Sequence, residues 1–143
     1  MIPKLVIANW KMAIDRDSVR HFRNEWEANQ ASYEAKILVA PPAIYLSDLD
    51  GMAGVALCGQ DVSANQPGAH TGELSAQMLD DFGCSHGLVG HSERRSSWGE
   101  SDALVAKKAL RLELLQICPV ICVGESKADR ESGRAEEVVA AQV

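Results

Sequence analysis

Five times along this chain a short, continuous run of aliphatic residues is followed by a segment with helical spacing, and this recurrence limits the fold more than any single motif. The runs are "KLVIA" (4–8), "AKILVAPP" (35–42), "VALCGQDV" (55–62), "HGLVGH" (86–91) and "PVICVGE" (119–125). They do not alternate apolar with polar, so both faces of each strand are expected to be covered, as in a parallel sheet. The intervening segments supply the cover. In "DRDSVRHFRNEWEANQ" (15–30), Val19, Phe22 and Trp26 share one helical face behind an Asp cap. "YLSDLDGMA" reads as a short helical piece and "PGAHTG" as a loop. "ELSAQMLDDFG" places Leu74, Met78, Leu79 and Phe82 on one face, with Gly83 as its C-cap. "ESDALVAKKALRLELLQ" is a long helix capped at Ser101, and "GRAEEVVAAQV" opens a fifth helix.

Strand followed by helix, five times over, fits either an open doubly wound sheet or a (β/α)8 barrel. The loops favour the barrel. A nucleotide-binding open sheet usually carries Gly-x-Gly-x-x-Gly after its first strand, and here "NWKMAID" stands in that place. No P-loop occurs. Instead polar residues stand at the C-terminal ends of several strands: Asn9 and Lys11, Gln60, His91 and Glu125. Functional groups gathered from many strand ends are the barrel's pattern. A complete barrel runs to about 250 residues, and this chain has 143. The expectation is therefore one α/β domain over 1–143, an incomplete (β/α)8 barrel of about five parallel units that stops within its fifth helix.

Composition removes other classes. Apolar residues make up 46% and charged residues 24%, which excludes a disordered or fibrous chain. A net charge of −6 argues against nucleic acid or an anionic membrane as a partner, though not against a small anionic ligand. No apolar stretch approaches the roughly 20 residues a membrane span requires, and the start does not read as a signal peptide. A cytoplasmic location is expected, with all four cysteines as thiols.

"GHSERR" (90–95) is the stretch with the most chemistry. A helical turn beginning beside His91 disfavours the imidazolium, so a neutral His91 could donate a hydrogen bond. Lys11 on the same face could bring positive charge to a carbonyl or phosphate oxygen, and Asn9 a neutral donor. Donors converging on one oxygen stabilise an enolate as it forms. Taken singly, each residue also has an ordinary reading: a solvated lysine, a locally satisfied histidine, a structural cluster of Glu93, Arg94 and Arg95.

"ANWKM", "GQDVSANQPGAHTGELSAQML", "VGHSERR", "GESDALVAKK" and "VICVGES…RESGRAEEV", in this order, resemble the triosephosphate isomerase family over essentially the whole chain. The resemblance implies a TIM barrel, a homodimer, and no cofactor or metal. It implies interconversion of dihydroxyacetone phosphate and D-glyceraldehyde 3-phosphate through an enediol(ate), in glycolysis and gluconeogenesis. On the matching positions Asn9 and Lys11 would bind substrate, and His91 would be the catalytic electrophile. Glu93 would hold Lys11, and Thr71 in "GAHTGE" would reach the partner subunit's site. Glu125 and Cys122 would be structural. The chain departs from the family at His70, where an aromatic is commoner, and in "LLQICPV", which lacks a common helix-ending Gly.

By the same resemblance, the general-base Glu and the phosphate-binding loops belong to later strands than the five present. The chain alone is therefore expected to fold poorly and to be inactive. A non-catalytic half-barrel that associates with itself, or with a complementary C-terminal fragment, is the alternative. A zinc deaminase reading of "HSE…CPVIC" fails, because its cysteines are spaced C-x-x-x-C and its proline follows the first.

Overall fold

The computed structural model describes residues 4–29 and 31–143. In chain order the elements are β1 (Leu5–Asn9), α1 (Arg16–Ala28), β2 (Lys36–Ala40), a 3-10 turn (Ala43–Tyr45), α2 (Leu46–Leu49) and β3 (Val55–Gly59). There follow α3 (Ala76–Asp81), β4 (His86–Val89), α4 (Ser92–Trp98), α5 (Asp102–Glu113), β5 (Cys118–Ile121), α6 (Lys127–Glu131) and α7 (Ala135–Gln142). The strands form one parallel sheet in the order β1-β2-β3-β4-β5. Each neighbour is also the next strand in sequence, so the sheet never reverses its winding as a doubly wound sheet must. It is a curled half-barrel, as expected for an incomplete TIM barrel.

The continuous apolar runs are explained by two cores. Val39, Leu57 and Val89 point outward and pack under the helices with Val19, Leu79, Val105 and Leu112. Their sequence neighbours Leu38, Cys58 and Leu88 point the other way and form an inner cluster with Ile7, Ala56, Val120 and Cys122. Register keeps each row level, with Ile7 beside Leu38, Leu38 beside Ala56 and Leu88 beside Val120.

Local chemistry fixes most boundaries. Asp15 caps α1 by accepting from the Ser18 N–H, and Val19, Phe22 and Trp26 pack inward as their spacing predicts. The expected end of that helix at Gln30 lies outside the described residues. Ser75 and Ser101 cap α3 and α5. The helix expected over 73–83 is shorter than its pattern, because Ser75 starts it and Gly83 turns left-handed just after it. Met78 and Phe82 are exposed, so only Leu74 and Leu79 of that predicted face meet the core. β4 and β5 also end earlier than their apolar runs, at Val89 and Ile121. His91 consequently stands on the loop after β4, as the N-cap of α4. Between β5 and the expected fifth helix lies α6, whose capping box of Ser126 and Asp129 is legible in the sequence. No described helix is long and apolar enough to cross a membrane.

Candidate active site

β1 ends at Asn9, and the chain turns there because Asn9 bonds to its own backbone. Its Oδ1 accepts the Lys11 N–H at 3.0 Å, a local Asx-type turn. With the oxygen used in this way, the Asn9 Nδ2 donors have no acceptor among the described residues. Lys11 then adopts φ 53°, a left-handed conformation that costs a non-glycine residue on the order of 1 kcal/mol. Gln60, just past β3, holds it there: its Nε2 donates to the Lys11 carbonyl at 3.0 Å and to the Ala40 carbonyl at 2.8 Å. One amide thus ties the ends of β1, β2 and β3 together. The sequence marks Gln60 as a polar strand end but does not reveal this role.

From this backbone the Lys11 side chain reaches across to Glu93, with Nζ to Oε1 at 2.7 Å. The Lys11 hydrogen bond holds the Glu93 carboxyl below its ordinary value of 4.5, so the pair stays ionised somewhat below the usual carboxylate range. The Glu93 backbone N–H also donates to His91 Nδ1 at 3.3 Å. An amide can only donate, so Nδ1 is the bare nitrogen and the ring proton sits on Nε2. The Glu93 Oε2 lies 3.6 Å from Nδ1, too far for a hydrogen bond. In this arrangement Nε2 is the ring nitrogen left to donate.

Asn9, Lys11, Gln60, His91 and Glu93 line one open cleft of about 750 Å³. Thr71, on the exposed loop after β3, borders the same cleft of its own chain. Glu125 is not part of it. It pairs with Arg130 of α6, and Cys122 packs in the inner cluster. Among the described residues no group of three or more His, Cys, Asp and Glu side chains is set to hold a metal ion.

The three charged residues of "SERR" do not form one cluster. Glu93 serves Lys11, while Arg94 turns to a buried network. Arg94 bonds Glu100 at 2.6 Å and Asp61 at 2.9 Å, and Lys108 bonds Glu100 at 2.5 Å and Asp61 at 2.7 Å. Burial opposes ionisation of Glu100, yet hydrogen bonds from Lys108 and Arg94 outweigh it and hold its carboxyl low. Arg95 goes to a third set of partners behind His91.

The sequence profile of the family described as triosephosphate isomerase matches residues 4–143. The chain belongs to the triosephosphate isomerase family. It is 46% identical over 154 residues to a triosephosphate isomerase of Cupriavidus pinatubonensis, with all of this chain and 59% of that protein covered. It is 44% identical over 147 residues to one of Paracidovorax citrulli, covering 98% of the chain and 58% of the relative. Against one of Nitrosococcus oceani, identity is 40% over 146 residues, with 97% and 57% covered. The chain spans a little under three fifths of the length of these triosephosphate isomerase relatives.

Proposed function

We propose that these residues carry the substrate-binding and carbonyl-polarising side of a triosephosphate isomerase site, acting on dihydroxyacetone phosphate and D-glyceraldehyde 3-phosphate. The observation that carries the reading is the double engagement of Glu93, which holds Lys11 by its carboxylate and His91 by its backbone N–H. Donors from the ends of β1 and β4 thereby face one cleft. Asn9 and Lys11 bind the phosphorylated triose. His91 Nε2–H donates to the carbonyl oxygen and stabilises the charge that grows there as the enediol(ate) forms.

Proton removal from carbon needs a base. Glu93 is engaged by Lys11 and Asp61 by Lys108 and Arg94, so neither is free for it. The base and the phosphate loops belong, on the family resemblance, to later β/α units, and the 143-residue polypeptide by itself is inactive. The complete enzyme is a cytoplasmic homodimer serving glycolysis and gluconeogenesis, needs no cofactor or metal, and uses Thr71 toward its partner's site. Titrating the 143-residue chain with dihydroxyacetone phosphate should shift the NMR signals of Asn9, Lys11 and His91, with no turnover in a coupled assay. Unmoved Lys11 and His91 signals would refute the binding reading, and turnover near that of an ordinary isomerase would refute the inactivity.

A second reading has its own support. Leu5 and Val6 on β1 and Ile121 on β5 are about half exposed at the two open edges of the sheet. A half-barrel could bury them by pairing with a second copy or with a complementary fragment. A discrete dimer in sedimentation would favour this reading, and a monomer or heterogeneous aggregate would count against it.

A further inference from the structure

Arg95 is not among the residues lining the cleft, yet it bonds the loop that bears His91. Its side chain is 16% exposed. Nε donates to the Gly90 carbonyl at 2.7 Å, one guanidinium nitrogen pairs with Asp102 at 2.5 Å, and the other donates to the Cys122 carbonyl at 3.2 Å. The partners come from three places: the residue before His91, the first residue of α5, and the residue just past β5. The planar fork of an arginine spreads its donors over three nitrogens and so spans all three, whereas an ammonium donates from a single nitrogen.

Gly90 is shaped to admit this group. Its φ is +69°, and a Cβ there would meet an Arg95 guanidinium nitrogen at 2.9 Å and both γ carbons of Val105 at 2.9 and 3.0 Å. The peptide between Gly90 and His91 is rigid and planar. Fixing its carbonyl therefore fixes where the His91 N–H and Cα stand, and from there the contact of Nδ1 with the Glu93 N–H sets the ring.

We propose that Arg95 is a positioning residue for His91, acting through the Gly90 carbonyl to hold the imidazole where Nδ1 meets the Glu93 N–H and Nε2 faces the cleft. Its catalytic meaning rests on the function proposed above, but its test does not require turnover. The measurements are the ¹⁵N signals of the His91 ring and the hydrogen exchange of the Glu93 amide, in the 143-residue chain and in Arg95→Lys and Asp102→Asn. Histidine signals are few, since the chain has four, and His91→Gln assigns the one needed.

Wild type should show the Nε2–H tautomer. In Arg95→Lys the two ring nitrogens should exchange between tautomers, and the Glu93 amide should exchange about tenfold faster, the scale of one lost charge-assisted bond. Asp102→Asn, which weakens one prong, should move both readouts the same way by less. Unchanged ring signals and amide exchange in both variants would overturn the proposal. Global unfolding of both would also overturn it, by making Arg95 a fold-holding residue only. A wild type without the Nε2–H tautomer would instead refute the role given to His91, while the differences between variants would still decide the role of Arg95.

Discussion

Lys11 is placed by three weak constraints acting on one strained residue, and they can be separated. Its left-handed φ is stabilised by Asn9 Oδ1 and Gln60 Nε2, while its Nζ pairs with an exposed Glu93. The surface pair is worth at most about 1 kcal/mol, whereas the backbone strain disappears altogether in glycine. Lys11→Ala removes the pair and keeps the strain; Lys11→Gly removes both. Urea denaturation should find the glycine variant more stable than the alanine variant by about 1 kcal/mol. Equal stabilities would mean that the left-handed turn carries no strain. Asn9, Lys11, Gln60 and His91 could be picked out because polar groups at the C-terminal ends of apolar strands stand out, and the structure brings all four to one cleft. The contacts of Gln60 and Arg95 could not be read, because each works through backbone carbonyls of other elements, and no sequence spacing encodes those contacts.

At the scale of elements, the strands were legible because each supplies neighbouring residues to two different cores, which produces continuous apolar runs. Their ends were less so: the runs in β4 and β5 continue past the last ladder bonds, and Met78 and Phe82 keep helical spacing without finding a core. Least legible was the network joining α4, α5 and the loop after β3. Lys108 and Glu100, 5% and 3% exposed in their side chains, sit at its centre with Asp61 and Arg94 around them. Removing one partner from a buried pair leaves an uncompensated charge, which costs roughly 3–5 kcal/mol. Lys108→Met should therefore destabilise the fold by about that amount. Adding Glu100→Leu should recover much of the loss, since a matched apolar pair can replace a buried ion pair at little cost. A chemical-denaturation double-mutant cycle measures the coupling, and additive losses would show that the two side chains do not depend on each other.

For the whole molecule the question is whether five β/α units hold their shape when the sheet is not closed. The outer core is built between sequence neighbours, with α1, α3 and α5 packed against strands next to them in the chain, so it does not need closure. The inner cluster is different: Leu38, Ala40, Cys58 and Leu88 are buried, but they line a face that a closed barrel would fill from all sides. The four cysteines sample these environments separately. Cys84 lies in the outer core and Cys58 in the inner one, and burial pushes their thiols up to about 11 and about 12. Burial also raises half-buried Cys122, whereas Cys118 is exposed on the edge strand β5. Because the thiolate is the reactive form, alkylation at neutral pH should modify Cys118 first and Cys122 more slowly, leaving Cys58 and Cys84 protected. If only the outer core persists in the isolated chain, Cys58 should join the fast group while Cys84 stays protected. Mass spectrometry after timed iodoacetamide labelling reads all four sites together. Four equal rates, matching those of the urea-unfolded chain, would mean that neither core survives without closure of the sheet.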